Sequence, residues 1–242
     1  MSYRFGCLPG HIPVGLHFLP WYHSGSLPMA PASVAVPDVT WGMLGNDTRG
    51  DCGVAGLEHG FMADAADTGE SESFPDEQQA VSYYLSYTGG QDSGVVLADY
   101  LAHVKDNGYY GKTVSAYAPV AVQDINTLHY AVNEFDFAYA GITVYEGMMA
   151  AVQENPDGPW EWTLDDVTGG VEGGHCLVLV GYDSQWLYAV TWGSVVKIAY
   201  PAWSRIGTEV WAVITGELVT KGDDGHGISL DALQADLSNL AR

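Results

Sequence analysis

Apolar residues recur at three- and four-residue steps through residues 53 to 67 (Val54, Leu57, Phe61, Met62 and Ala65), the spacing of one helical face. That pattern predicts a helix with Cys52 at its N-terminus. A second helix is announced by SFPDEQQAVSYYLSY, residues 73–87, with Ser73 as a cap, proline and acids in its first turn and Gly89-Gly90 beyond its end. A third runs from about 95 to 105 and stops at Asn107-Gly108, and a fourth spans about 124 to 133. Past residue 135 the pattern changes. FDFAYAGITVYE alternates or runs apolar, and GHCLVLVGYD, WLYAVTWG, VVKIAYPAW and EVWAVIT follow as short strands separated by turns. Helices first and an antiparallel sheet second predict an α+β fold rather than alternating α/β.

Between the two halves, ENPDGPWEWTLDDVTGGVEGG, residues 154–174, is rich in glycine, proline and acids and reads as a surface loop leading into His175. Residues 1–37 carry more than half of the chain's prolines with little periodicity, the signature of an extended arm. Its aromatics Phe18, Trp21 and Tyr22 are expected to lie against a surface, of this domain or of a neighbouring subunit. At the other end, ISLDALQADLSNLAR sets Leu230, Leu233, Leu237 and Leu240 on one helical stripe, better suited to docking on its own domain than to a partner. The organisation that follows is an arm (1–37), a central domain (38–216, helical half about 45–135, sheet half about 136–216) and a C-terminal tail (217–242).

Thirty acidic against eight basic residues give a formal net charge of −22, which repels phosphate backbones and anionic lipid surfaces. Nucleic acid and membrane are therefore poor partners. Only 16% of residues are charged, so the imbalance reflects scarce lysine and arginine, not an acidic tract. Cys7, Cys52 and Cys176 lack CxxC spacing, and the eight histidines lack HExxH or HxH spacing. Neither a disulfide scaffold nor a metal site is indicated, and no phosphate loop or other cofactor motif appears. No apolar run of 18 residues and no leader-like start is present, which favours the cytoplasm.

A thiol nucleophile needs a lowered pKa, a base, a group to orient that base, and donors where an oxyanion forms. Cys52 supplies the first if the free N–H groups of the helix start favour its thiolate. Otherwise it is a small buried residue that begins a helix. His175 is the best candidate base, opening a strand after a glycine pair whose Gly174 leaves room for substrate, 123 residues beyond Cys52. His59, two helical turns past Cys52, lies too far along the axis, about 10 Å at 1.5 Å per residue. Cys176 points away from His175 in an extended segment and reads as core.

VTWGMLGNDTRGDCGVAG resembles the papain-like cysteine peptidase pattern in which an amide residue stands six positions before a cysteine flanked by small residues. GGHCLVLVGYD resembles that family's histidine strand, TWG at 191–193 its Ser-Trp-Gly, and QDSGVVLADYLAHVKDNGYYG the helix before its inter-half linker. The resemblance spans roughly 38 to 214 and is narrowest toward uncharacterised papain-like proteins of actinobacterial phages and prophages. It implies a papain-like α+β fold and a cysteine hydrolase acting on peptide or isopeptide bonds, with Cys52 as nucleophile, His175 as base and Asn46 as oxyanion donor. It also implies that Trp192 shields the histidine's supporting contact. Three positions depart from the pattern. Val190 stands where the family carries its orienting asparagine, leaving Asp183, Thr191 or a backbone carbonyl to hold His175. Asn46 replaces a glutamine and is shorter by about 1.5 Å. Asp51, beside the nucleophile, opposes the helix effect on its pKa. The rival reading keeps the fold without catalysis, as a structural or accessory phage virion protein bound through residues 1–37 or 228–242.

Overall fold

α1 (Cys52–Thr68) begins at the predicted residue, but its burial exceeds a single face, since residues 52–61 are all buried. The computed structural model, which describes residues 3–68, 73–221 and 227–240, lays this helix across a seven-stranded sheet. Gly56 makes the approach possible, because a Cβ there would stand 3.0 Å from Cys176 Sγ on the facing strand. α2 (Glu77–Tyr87) starts three residues later than a cap at Ser73 would have it. Asp76 caps it instead: its carboxylate accepts the Gln79 N–H at 2.9 Å while the Gln79 side chain accepts the Asp76 N–H at 2.9 Å. α3 (Leu97–Asn107) ends at Gly108, whose φ of 74° closes the helix as its sequence predicts.

The sheet is built from β1 (Val114–Val120), β2 (Ala138–Tyr145), β3 (Trp160–Trp162), β4 (Val171–Tyr182), β5 (Trp186–Thr191), β6 (Ser194–Ala199) and β7 (Gly207–Thr215), in the order β1-β7-β2-β4-β5-β6-β3. Its central strands are the ones the apolar runs foretell. Both edges depart from expectation. β1 lies within the half read as helical and carries Pro119, tolerable because an edge strand need not donate every ladder bond. β3 arises inside the segment read as loop and pairs with β6 in parallel, so the sheet is mixed. Three helices join these strands, α4 (Ile125–Glu134), α5 (Glu146–Glu154) and α6 (Tyr200–Ile206), and α7 (Gly216–Lys221) follows the last of them. VVKIAYPAW is thus half strand and half helix, the switch falling before Pro201, whose fixed φ suits a first helical turn.

The arm packs on its own domain. Tyr3, Leu16, Leu19 and Tyr22 are buried, with a short 3-10 helix at Leu19–Tyr22, whereas Phe18 and Trp21 remain exposed. α8 (Leu230–Leu240) docks on β1 through buried Leu233 and Leu237. The two termini meet where the Tyr22 hydroxyl donates to Asp236 Oδ2 at 2.9 Å and the Tyr22 carbonyl accepts the Ser229 N–H at 2.7 Å. The arm's first two residues, residues 222–226 of the tail with His226, and the last two residues lie outside the described residues.

Candidate active site

Cys52 occupies the first turn of α1, where helical N–H groups lack intrahelical acceptors. Its sulfur meets the backbone N–H groups of Cys176, on β4, and of Gly6, in the arm. The helix start was expected to lower the thiol pKa; instead burial pushes it up to about 12, with the Asp51 charge adding to the rise. Desolvation of a side chain 1% exposed outweighs the helix and backbone donors. Asp51 is itself fully buried, and burial pushes its carboxyl up to about 7. Asn46 is buried beside it, and its amide donates to Asp51 Oδ1 at 3.2 Å and to the Arg49 carbonyl at 3.4 Å. Both amide hydrogens are therefore engaged within the loop before α1.

His175 lies on β4 opposite Ile142, fully buried. Its Nε2 is 2.5 Å from Thr191 Oγ1, and its ring stacks on Trp192 at a centroid distance of 4.3 Å and 27°. Burial lowers its pKa to about 3. Trp192 is held there by the β5–β6 hairpin: Thr191 pairs with Ser194, and the two loop residues Trp192 and Gly193 have φ of 47° and 71°. Positive φ at both positions makes a type I′ turn, which matches strand twist but strains a bulky residue such as tryptophan. Of the three stand-ins for the missing asparagine, Thr191 meets the histidine. Asp183 sits at the β4–β5 turn, accepting from the Tyr188 hydroxyl at 2.7 Å and from the Gln185 and Trp186 N–H groups at 2.7 and 2.9 Å. Val190 is core, paired with Val178 and Val195. Cys176 Sγ faces α1, and His59 is bound to the Gly42 carbonyl at 2.8 Å.

What the sequence did not disclose is that the arm crosses the site. Gly6 and Leu8 bracket Val95 in a parallel bridge, with Val95 N–H to Gly6 O at 2.8 Å and Leu8 N–H to Val95 O at 2.9 Å. On the opposite wall the Cys7 N–H donates to the Gly174 carbonyl at 3.0 Å. Gly174 is required: a Cβ there would fall 2.2 Å from the Cys7 carbonyl oxygen. Phe5 presents its edge to His175 at 6.1 Å and to Trp192 at 6.3 Å, and Tyr3 lies 4.7 Å from Trp192. An extended peptide thus bridges the helical half and the sheet beside the thiol and the imidazole. Its contacts run backbone to backbone and through glycines, so no periodicity or motif marks them. Among the described residues, no group of three or more His, Cys, Asp or Glu is placed to hold a metal ion, and no helix is long and apolar enough to cross a membrane.

No protein-family model matches the chain, and no curated protein does. Solved structures do. Xylellain, a cysteine protease from Xylella fastidiosa, superposes over 88% of this chain and 96% of its own at 16% identity with a TM-score of 0.66. Digestive procathepsin L 3 from the larval midgut of Tenebrio molitor covers 88% of this chain and 76% of its own at 15% identity, TM-score 0.60. The cysteine protease and lectin-like domains of Cwp84, a surface-layer associated protein of Clostridium difficile, cover 88% and 55% at 11% identity, TM-score 0.56. The chain has the α+β fold of the papain-like cysteine proteases.

Proposed function

We propose that the chain is a cysteine hydrolase of peptide or isopeptide bonds, resting in a closed state under its own arm. The observation that carries this reading is the extended segment of residues 5–8 held between Val95 and Gly174, next to the Cys52 sulfur and the His175 ring. A cleft that binds this chain's backbone by main-chain bonds on both walls is suited to a substrate backbone. In the working state Cys52 gives its proton to His175 and attacks the carbonyl carbon. The oxyanion is met by the Cys52 N–H and by the Asn46 amide once it turns from Arg49. The imidazolium returns the proton to the leaving amine, and water then opens the thioester. In the closed state thiol and imidazole are both neutral, because each is desolvated.

The resemblance of NDTRGDC, GGHCLVLVGYD and VTWG to phage-encoded proteins supports a virion protein or a cell-wall peptide as the target, met in the host cytoplasm or on the particle. A second reading, a silent papain fold serving a virion through residues 1–37 or 228–242, is favoured by Val190 and by the suppressed thiol. Alkylation of the full-length chain by iodoacetamide, followed on Cys52 by peptide mass mapping, separates the two. Phe5→Ala should loosen the arm and speed Cys52 labelling at pH 7 by about tenfold or more, since losing a packed aromatic is worth well over 1.4 kcal/mol. Peptide hydrolysis should rise in parallel. A Cys52 equally inert in both proteins, without hydrolysis, supports the silent fold.

A further inference from the structure

The arm is held to the body of the domain at two places, and the mechanism above uses one of them, the main-chain bonds of residues 6–8 to Val95 and Gly174. The second begins at Leu16, which is buried together with Leu19 and Tyr22. Its partner is α8. The Tyr22 hydroxyl accepts the His17 N–H at 3.0 Å and donates to Asp236 Oδ2 at 2.9 Å, the Tyr22 carbonyl accepts the Ser229 N–H at 2.7 Å, and the Gly227 carbonyl accepts the Ser24 N–H at 3.1 Å. α8 has a seat of its own on β1, through buried Leu233 and Leu237 and through the Gln234 amide, which donates to the Ser115 carbonyl at 3.4 Å. The helix therefore fixes the arm to the sheet rather than following it.

Between the two holds the arm is loosely seated. Among the described residues no hydrogen bond ties residues 9–15 to the rest of the domain, Val14 is 97% exposed, and cavities of about 350 and 570 Å³ are lined by Gly10, His11, Ile12 and Pro13 of this stretch. What the stretch supplies is a short tether. The effective concentration of a tethered segment at its site falls roughly as the −3/2 power of tether length. With the turn at Leu19–Tyr22 seated, about eight residues connect Leu8 to Leu16. With it lifted, the next hydrogen-bonded hold is at Pro31, whose carbonyl accepts the Tyr182 hydroxyl at 3.0 Å, and the tether grows to about 23 residues. The cleft segment would then leave its place about fivefold more often. We propose that α8 is the latch of the arm: while it grips the turn at Leu19–Tyr22 it keeps residues 6–8 over the thiol, and its release opens the cleft. As a control on activity the inference rests on the hydrolase reading; as a coupling between the two ends of the chain it does not.

The test is amide hydrogen exchange, followed by NMR on the full-length chain, at Cys7 and Val95, whose N–H groups are bound to the Gly174 and Gly6 carbonyls, with the amides of β2, a strand paired on both sides, as the reference. Leu233→Asp puts a charge into the buried seat of α8, far from the thiol in sequence and with no contact to residues 6–8. Exchange at Cys7 and Val95 should quicken about fivefold relative to β2, and iodoacetamide labelling of Cys52 by a similar factor. If that variant does not fold, Tyr22→Phe, which keeps the ring and removes the two bonds of the hydroxyl, decides by the same ratio, with a gain of about twofold or more expected. Faster exchange at Ser24 and Ser229 with Cys7 and Val95 unchanged overturns the latch and leaves the hydrolase standing. Acceleration shared equally by β2 also overturns it, since α8 would then support the whole fold and not the arm. Faster exchange at Cys7 and Val95 without peptide hydrolysis keeps the latch and counts against the hydrolase.

Discussion

On the sheet side of the cleft, His175 is fixed by neutral groups: a hydroxyl at one nitrogen, an indole across its face and the edge of Phe5. On the helix side, Cys52 is neighboured by a buried carboxyl, Asp51, that shares a hydrogen bond with the buried amide of Asn46. Both sides shift their titratable group toward its neutral form, the thiol up to about 12 and the imidazole down to about 3, and in both burial is the leading cause. The difference lies in what else acts. The imidazole is positioned by packing and responds to loss of packing, whereas the thiol sits beside an ionisable group and responds to pH.

Trp192→Ala strikes the packed side and should have the largest effect. The ring is 2% exposed, stacks on His175 and touches Tyr3, Phe5, Trp160 and Trp162. Removing it should lower unfolding stability by about 3–5 kcal/mol, measured by denaturant titration. With water admitted, the His175 pKa followed by proton NMR should climb from about 3 toward the reference value of about 6.5. A loss below about 1 kcal/mol with no change in the titration would show that the imidazole is not held by packing.

Asp51→Asn tests the other side through pH. Asp51 titrates at about 7 in the fold against 3.8 in the unfolded chain, so its contribution to stability is full below pH 3.8 and is lost as pH rises through 7. His175, at about 3 against 6.5, contributes above pH 6.5 and loses that contribution as pH falls toward 3; His59, at about 4, does likewise. The carboxyl and the histidines therefore oppose one another between pH 3.8 and 6.5. Replacing Asp51 should stabilise the protein at pH 8, by at most about 4 kcal/mol, and steepen its acid loss between pH 6.5 and 4. The same change removes a negative charge next to Cys52, so the onset of thiol alkylation should move to lower pH. Unfolding midpoints that keep the parent's pH dependence would mean that Asp51 is not the opposing group.

How much of this was legible in the sequence follows the same physics. Helix α1 and the central strands β2, β4, β5 and β7 announce themselves because burial imposes an apolar pattern, while the two strands that escaped notice, β1 and β3, are the sheet's edges, one with Pro119 and one only three residues long. Cys52, Asn46, His175, Thr191 and Trp192 could be named from motif spacing because each is tied to a local element. The direction of the Cys52 shift could not, since it is set by burial to which another part of the chain contributes, Gly6 of the arm. The arm grips Val95 and Gly174 through main-chain atoms, which leave no trace in side-chain pattern.

The finest distinction concerns Thr191. An imidazole that is to take the thiol proton at Nδ1 must carry its own hydrogen on Nε2, and a hydroxyl 2.5 Å away can accept that hydrogen while donating its own elsewhere. Valine has nearly the same shape and no acceptor. Thr191→Val should leave the buried Nε2–H unsatisfied, at a cost of about 1–3 kcal/mol, and lower kcat in the arm-loosened Phe5→Ala background by about tenfold or more, with KM little changed because the hydroxyl does not face the substrate path. Thr191→Ser should recover most of the rate and the parent pH profile, which a purely packing role for the threonine methyl would not allow. Equal kcat for the valine and threonine proteins would show that ring stacking alone orients the base, and the two sides of the cleft would then differ only in their response to charge.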